Sequence, residues 1–272
     1  MIAFPSTAAA ARRIKKLRSE DTPVAIVIVS WPYRRIVNNW VTSYRKACED
    51  SNFVVVCLDW RLWFTMKMAR VPAVRIHQVK TRRQFWSLRT ELLRDLCDLG
   101  VPFIHSDADA VWLADPRPYL SSLDESDLIF SQGTIHPFEA YERWQMTLCA
   151  GFFSVKPSAR TSELLHAIAR EIPRAGDDQA AINKVLMRRG LEWNQSDEGY
   201  FVGRPESPIR CWAMPLWGQL PGGERVTLLP QELFCRIFTT RTTGTLVFHP
   251  NTPSVTRGKF EELEKLGGIV TP

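Results

Sequence analysis

Two aspartates one residue apart, Asp107 and Asp109, close an apolar run that begins Val101-Pro-Phe-Ile. On an extended strand, residues i and i+2 project to the same face, so the two carboxylates stand side by side where the strand ends. A hard divalent cation suits such a pair. Mg²⁺ or Mn²⁺ takes one or two carboxylates and completes its octahedron with water and phosphate oxygens. The chemistry indicated is a metal bridging the protein to a nucleotide diphosphate, against the alternative of an ordinary water-facing strand end.

Other polar residues stand where the same cation or its ligand would need them. His249 follows the apolar stretch Thr245-Leu-Val-Phe248, and imidazole is a good borderline ligand for Mn²⁺ beside two carboxylates. The sequel Arg257-Gly-Lys259 offers a glycine for close backbone approach and, in Lys259, a cation for the diphosphate. Ser30 and Asp59 terminate two further apolar runs, Val24–Ser30 and Phe53–Leu58. Asp59 is open to two roles, a ribose or uracil contact and a helix cap. Asp177-Asp178-Gln179 precedes a helical pattern and fits ordinary N-capping.

The elements that must position these residues alternate. Strands are predicted at 24–30, 53–58, 102–105, 127–131, 151–155 and 244–249, and helices at 36–49, 82–99 (closed by Gly100), 159–171 and 178–189. This pattern predicts an α/β fold: one mostly parallel central sheet with helices on both faces. Ligands of such sheets bind beyond the carboxyl ends of the strands, where Ser30, Asp59, Asp107 and Asp109 all fall.

Two families share parts of this text. Asp107-Ala-Asp-Ala-Val111 fits the spacing of haloacid-dehalogenase-like phosphatases, and Gly176-Asp-Asp178 imitates their distal acidic motif. That motif belongs at the end of an apolar strand, however, and Arg170-Glu-Ile-Pro-Arg-Ala175 is charged and broken by proline. A fuller correspondence runs through Lys80-Thr-Arg-Arg-Gln-Phe-Trp-Ser-Leu-Arg89, Asp107-Ala-Asp-Ala-Val-Trp-Leu-Ala-Asp-Pro116, Ala150-Gly-Phe-Phe-Ser-Val-Lys-Pro157, Asp177-Asp-Gln179 and Phe248-His-Pro-Asn251. In this order the segments resemble the nucleotide-diphospho-sugar transferases that include plant arabinosyl- and xylosyltransferases, over roughly residues 22 to 268.

The resemblance implies a GT-A-like (Rossmann-like) glycosyltransferase fold and transfer of a sugar from a nucleotide-diphosphate donor, a UDP-sugar, with retention. It further implies Asp107, Asp109 and His249 as metal ligands, Arg89 and Lys259 on the donor, and Asp178 and Gln179 facing the donor sugar. The family commonly carries asparagine before Gly-Phe, whereas this chain has Cys149-Ala-Gly151, which removes an expected sugar contact.

Composition narrows the setting. The chain has 272 residues, 45% of them hydrophobic, enough for one domain with a substantial core. No apolar run reaches the ~20 residues of a membrane span. The six cysteines lack Cys-x-x-Cys pairing, which predicts buried thiols in a reducing, cytoplasmic compartment.

Lys+Arg 35 less Asp+Glu 29 gives +6, and Arg12, Arg13, Lys15, Lys16 and Arg18 against Glu20 place +4 of it in the first twenty residues. Residues 1–21 therefore read as a separable basic segment before the enzyme domain at 22–272. Its positions 11–18 either stay solvated or touch an anionic partner such as the inner face of a membrane. Ten tryptophans and a pI near 9.1 also fit a basic, non-catalytic glycan- or nucleic-acid-binding protein. Trp31, Trp40, Trp60, Trp63, Trp86 and Trp112 read as packing residues, while the region of Trp193, Tyr200, Trp212 and Trp217 reads as the place where an acceptor docks. The acceptor's class stays open: glycan, protein, lipid-linked saccharide, small molecule or modified nucleic acid.

Overall fold

A computed structural model describes residues 5–18, 22–76, 79–194, 199–251 and 256–270. The chain begins α1 (Thr7–Leu17), β1 (Val24–Val29), α2 (Arg34–Ala47), β2 (Phe53–Cys57), α3 (Trp60–Met68) and β3 (Ala73–Arg75). It continues α4 (Arg82–Asp98), β4 (Phe103–Ser106), β5 (Val111–Trp112), α5 (Arg117–Ser121), β6 (Leu128–Gln132), α6 (Phe138–Trp144), β7 (Leu148–Val155), α7 (Ala159–Ala175) and α8 (Asp178–Arg188). The remainder holds β8 (Glu192–Trp193), β9 (Gly199–Arg204), β10 (Ser207–Trp212), β11 (Leu216–Gln219), β12 (Arg225–Leu228), β13 (Phe234–Cys235), β14 (Val247–Phe248) and α9 (Thr256–Lys265).

Nine strands form one sheet in the order β3-β2-β1-β4-β7-β6-β12-β11-β8. β7 runs against both its neighbours, β4 and β6, and β11 against both of its own, β12 and β8; every other pairing is parallel. The sheet is thus mostly parallel, as expected, with two reversed strands in its second half. The predicted strand at 244–249 shrinks to Val247–Phe248 and leaves the main sheet, pairing instead with β13 and β5 in a small sheet of three. Local periodicity identifies an apolar strand without saying which neighbour will receive its hydrogen bonds.

β1 is buried along its whole length because both faces of the sheet are covered. Val24, Ile26 and Ile28 pack with side chains of α1, α4, α7 and α8, and Ala25, Val27 and Val29 pack with those of α2 and α3 on the opposite face. The helix that delivers the chain to β4 starts on a capping box between Thr81 and Gln84 and ends at Gly100, whose φ of +68° suits glycine.

The boundary drawn at residue 21 lies outside the described residues. On its near side α1 does more than present charge: Ala10, Ala11 and Ile14 are buried in the core, and α1 packs on α4. Its basic face stays exposed, because Arg12, Arg13, Lys15 and Lys16 fall between the apolar positions on the helix surface, and Leu17 in the last turn is exposed with it. Trp60 departs from its predicted packing role as well, being 62% exposed, whereas Trp40 and Trp112 are buried as expected.

Candidate functional site

Asp107 and Asp109 lie just beyond the carboxyl end of β4, and the neighbouring strand holds them there: the Asp107 N–H donates to the Gly151 carbonyl of β7 at 2.6 Å. His249 follows β14 and brings its imidazole between them, with Nε2 3.8 Å from Asp107 Oδ2 and 3.6 Å from Asp109 Oδ1. Ligand atoms of the three residues lie within 4.8 Å of one another, two hard carboxylate oxygens and one borderline nitrogen. That donor set fits Mn²⁺ or Mg²⁺.

Gly151 is what lets this happen. A β-carbon there would run into the His249 ring at Cε1 and stand 2.7 Å from Asp107 Oδ2. Glycine at this position allows the β7 backbone to lie flat against the side chains of Asp107 and His249.

Cations flank the carboxylates. Arg89, which is 5% exposed, donates to Asp107 Oδ1 at 2.7 Å and pairs with Asp178 Oδ2 from the same guanidinium. Lys259 Nζ lies 2.7 Å from Asp109 Oδ2. Burial raises both carboxyls, but Arg89 with His105 pulls Asp107 well below the usual carboxylate range, and Lys259 with His249 does the same for Asp109. Both are therefore anionic and ready to accept a cation. Burial leaves Asp178 raised despite Arg89. Burial and the Arg236 guanidinium lower the His249 imidazole, and the Asp109 carboxylate outweighs them, leaving it raised.

Three residues that local patterning did not single out complete the surroundings. His105 Nε2 lies 3.4 Å from Asp107 Oδ1, and burial lowers this imidazole to about 4, so it is neutral at physiological pH. Its i, i+2 spacing from Asp107 was the readable signal. Arg236 Nη1 lies 2.9 Å from His249 Nδ1, and no local pattern foretells that contact. Cys149 Sγ sits 3.9 Å from His249 Nδ1; burial raises this thiol, but Arg236 and His249 more than offset it, to about 6.

A cavity of about 340 Å³ opens beside this cluster. Ser30, Arg89, Asp107, Asp109 and Lys259 line one part of it, and Tyr33, Phe85 and Trp86 supply aromatic surface. The structure brings these five polar residues together at one cavity. Asp59 does not line it. One Asp59 oxygen accepts from the Trp31 N–H at 2.6 Å and the other caps α3 by accepting from the Leu62 N–H at 2.9 Å. Of its two expected roles, the cap is the one its geometry serves, and through Trp31 it fixes the loop after Ser30.

Asp178 and Gln179 open α8, where Asp177 is the N-cap, so neither aspartate terminates a strand. Gln179 Oε1 accepts from the Ala150 N–H at 3.3 Å, and its Nε2 donates to the His136 carbonyl at 2.6 Å. His136 in turn pairs with Asp177 at 2.8 Å. This network joins the α8 mouth to β7 and, through Asp178 and Arg89, to Asp107. In the aromatic region, Trp212 is 4% exposed and Trp193 packs edge-on against Trp144, so both serve the core. Trp217 stays at the surface beneath Arg225.

Comparison with known proteins agrees with this arrangement. An arabinosyltransferase of Arabidopsis thaliana is 22% identical over 237 residues, covering 80% of this chain and 34% of its own length. A UDP-D-xylose:L-fucose α-1,3-D-xylosyltransferase of the same plant is 24% identical over 136 residues, 46% of this chain and 38% of that protein. The chain thus spans about a third of the length of the curated relatives it matches. Among solved structures, the galactosyltransferase LgtC, bound to donor and acceptor sugar analogues, superposes over 91% of this chain and 96% of its own, with a TM-score of 0.51 and 11% identity, a likeness of fold. Residues 48–253 match the family model for nucleotide-diphospho-sugar transferases, and the chain belongs to that family.

Proposed function

We propose that the protein transfers a sugar from a nucleotide-diphosphate donor, a UDP-sugar, in a reaction that depends on Mn²⁺ or Mg²⁺. The observation that carries this reading is the convergence of Asp107, Asp109 and His249 beside a cavity of nucleotide-binding size, at the carboxyl ends of the strands. The cation would be held by those three residues and, when bound, would act as a Lewis acid on the leaving diphosphate. Arg89 and Lys259 hold the two aspartates in place and keep them ionised. Tyr33, Phe85 and Trp86 offer ring faces for the nucleoside. In this reading Gln179 and Asp178, anchored to β7 and Arg89, face the donor sugar, as the family resemblance implies. Transfer with retention follows from the family resemblance and calls for no strong base on the protein.

The phosphatase alternative asks Asp107 to be a free nucleophile. Here its carboxylate is engaged by Arg89 and His105, and Asp177-Asp178 sits at a helix start. We extend the proposal to a reducing, cytoplasmic compartment, which the free thiols support. Among the described residues no helix is long and apolar enough to cross a membrane, and the six cysteines are buried free thiols. The deciding experiment is a panel of nucleotide sugars incubated with protein and Mn²⁺, read as release of nucleotide diphosphate. Release from one donor, lost in excess chelator and in Asp109→Asn, supports the reading. Hydrolysis of simple phosphomonoesters dependent on Asp107 would replace it with the phosphatase.

A further inference from the structure

α3 carries an apolar face that no described residue covers. Its Leu62 and Met66 are buried beneath the sheet, while Trp60, Phe64 and Met68, spaced i, i+4 and i+8 along the opposite side, are 62%, 54% and 70% exposed. Such spacing aligns the three in one stripe along the helix. Exposed Arg61, Lys67 and Arg70 border it, and the whole stretch Trp60–Arg75 contains no acidic residue.

The second component is α1. β3 is the edge strand of the sheet, and α1 and α3 both pack against it from opposite faces. α1 adds exposed Arg12, Arg13, Lys15 and Lys16 with Leu17, again without an acid in Thr7–Arg18. These seven exposed cations, six on the two helices and Arg70 just after α3, exceed the +6 of the entire chain, obtained as 35 less 29. The rest of the molecule is therefore slightly acidic, and the positive charge is concentrated at this edge.

We infer that the β3 edge, with α3 and α1 on its flanks, is a docking surface for an anionic phospholipid bilayer. A basic rim around exposed aromatic and aliphatic side chains is the composition of a segment that lies in the headgroup layer. Each cation near an anionic surface adds to the attraction, and Trp, Phe and Met supply the part that enters the acyl boundary. A nucleic-acid groove would need the charge without a contiguous exposed stripe of tryptophan, phenylalanine and methionine. Asp59 couples this surface to the cavity, since it caps α3 with one oxygen and holds the Trp31 N–H beside Ser30 with the other.

The test is co-flotation of the full chain with vesicles of phosphatidylcholine alone or with 30% phosphatidylglycerol, at low and high salt. Flotation only with the anionic vesicles is expected. The triple variant Trp60→Ser/Phe64→Ser/Met68→Ser should lower the partition coefficient roughly tenfold or more, and Arg12→Glu/Arg13→Glu should also lower it more than tenfold and flatten the salt dependence of the binding that remains. All five apolar-to-polar and charge changes are at exposed positions, and the thermal midpoint of each variant, with Phe64→Ser alone as a milder version, establishes that it is folded. Equal binding to neutral vesicles, wild-type binding by folded triple variant, or retention on immobilised DNA with no vesicle binding would overturn the assignment.

Discussion

Gly151→Ala isolates the geometry of the ligand cluster, because alanine changes nothing else at that position. The φ of Gly151 lies outside the left-handed range, so an alanine backbone carries no penalty and would ordinarily add about 0.4–1 kcal/mol by restricting the unfolded chain. Against this, the new methyl runs into His249 Cε1 and starts 2.7 Å from Asp107 Oδ2, inside the 3.0 Å that real β-carbons respect. Neither neighbour yields freely. Asp107 is pinned by Arg89 at 2.7 Å and by its own N–H to the Gly151 carbonyl, and His249 is buried. Overpacking of this kind costs about 1–3 kcal/mol, so a net loss of about 1–2 kcal/mol remains, a fall in midpoint of about 2–8 °C for a chain this long. Displacing a ligand side chain should also weaken Mn²⁺ binding about 10–100-fold. Thermal unfolding and isothermal titration with Mn²⁺ measure the two effects separately. Adding His249→Ala removes the principal clash, so the double variant should be more stable than the sum of the single changes. A Gly151→Ala protein with unchanged midpoint and unchanged Mn²⁺ affinity would refute the geometry; additive single and double variants would remove His249 from it.

Arg89→Met should destabilise by about 2–4 kcal/mol in urea unfolding, since it leaves the buried Asp178 and the half-buried Asp107 without their shared cation; a loss under about 1 kcal/mol would show the cluster is not desolvated. Asp109→Asn and His249→Ala should weaken Mn²⁺ binding in parallel, because both contribute to one ligand cluster, and titrations matching wild type would exclude either residue. The Asp177 carboxylate raises the His136 imidazole against burial, so the pair's contribution is fully present below the ordinary imidazole pKa and fades as pH rises through the raised value. Asp177→Asn should therefore lower the His136 titration midpoint followed by NMR, and an unmoved midpoint would dissolve the pair. Deleting residues 1–20 is expected to cost stability instead of leaving the fold untouched, because Ile14 is fully buried and truncation of such a side chain alone costs about 2–5 kcal/mol; an unchanged unfolding midpoint would contradict that.

Much of the molecule was already decided by local pattern. The β-branched runs of β1 and β2, the Gly100 stop after α4 and the Asp177 cap of α8 follow from side-chain stiffness, backbone freedom and orphan helix amides, all properties of neighbours in the chain. The i, i+2 period that places Asp107 and Asp109 together is equally local, which is why the carboxylate pair could be read as a cation site at once. His249 was legible as a candidate ligand only in its chemistry; its position beside Asp107 and Asp109 depended on β14 pairing with β5 and β13 outside the main sheet. Arg236 beside His249 and Arg89 between Asp107 and Asp178 came from packing among segments distant in sequence. The same holds for Asp59, whose residue type allowed a nucleoside contact and whose fold made it a tie between a loop and α3. A hydrophobic period fixes which face an element buries, but not what meets that face. That is why α1 joined the core while Trp60, Phe64 and Met68 were left at the surface: burial is settled by the neighbours that the sheet order brings within reach.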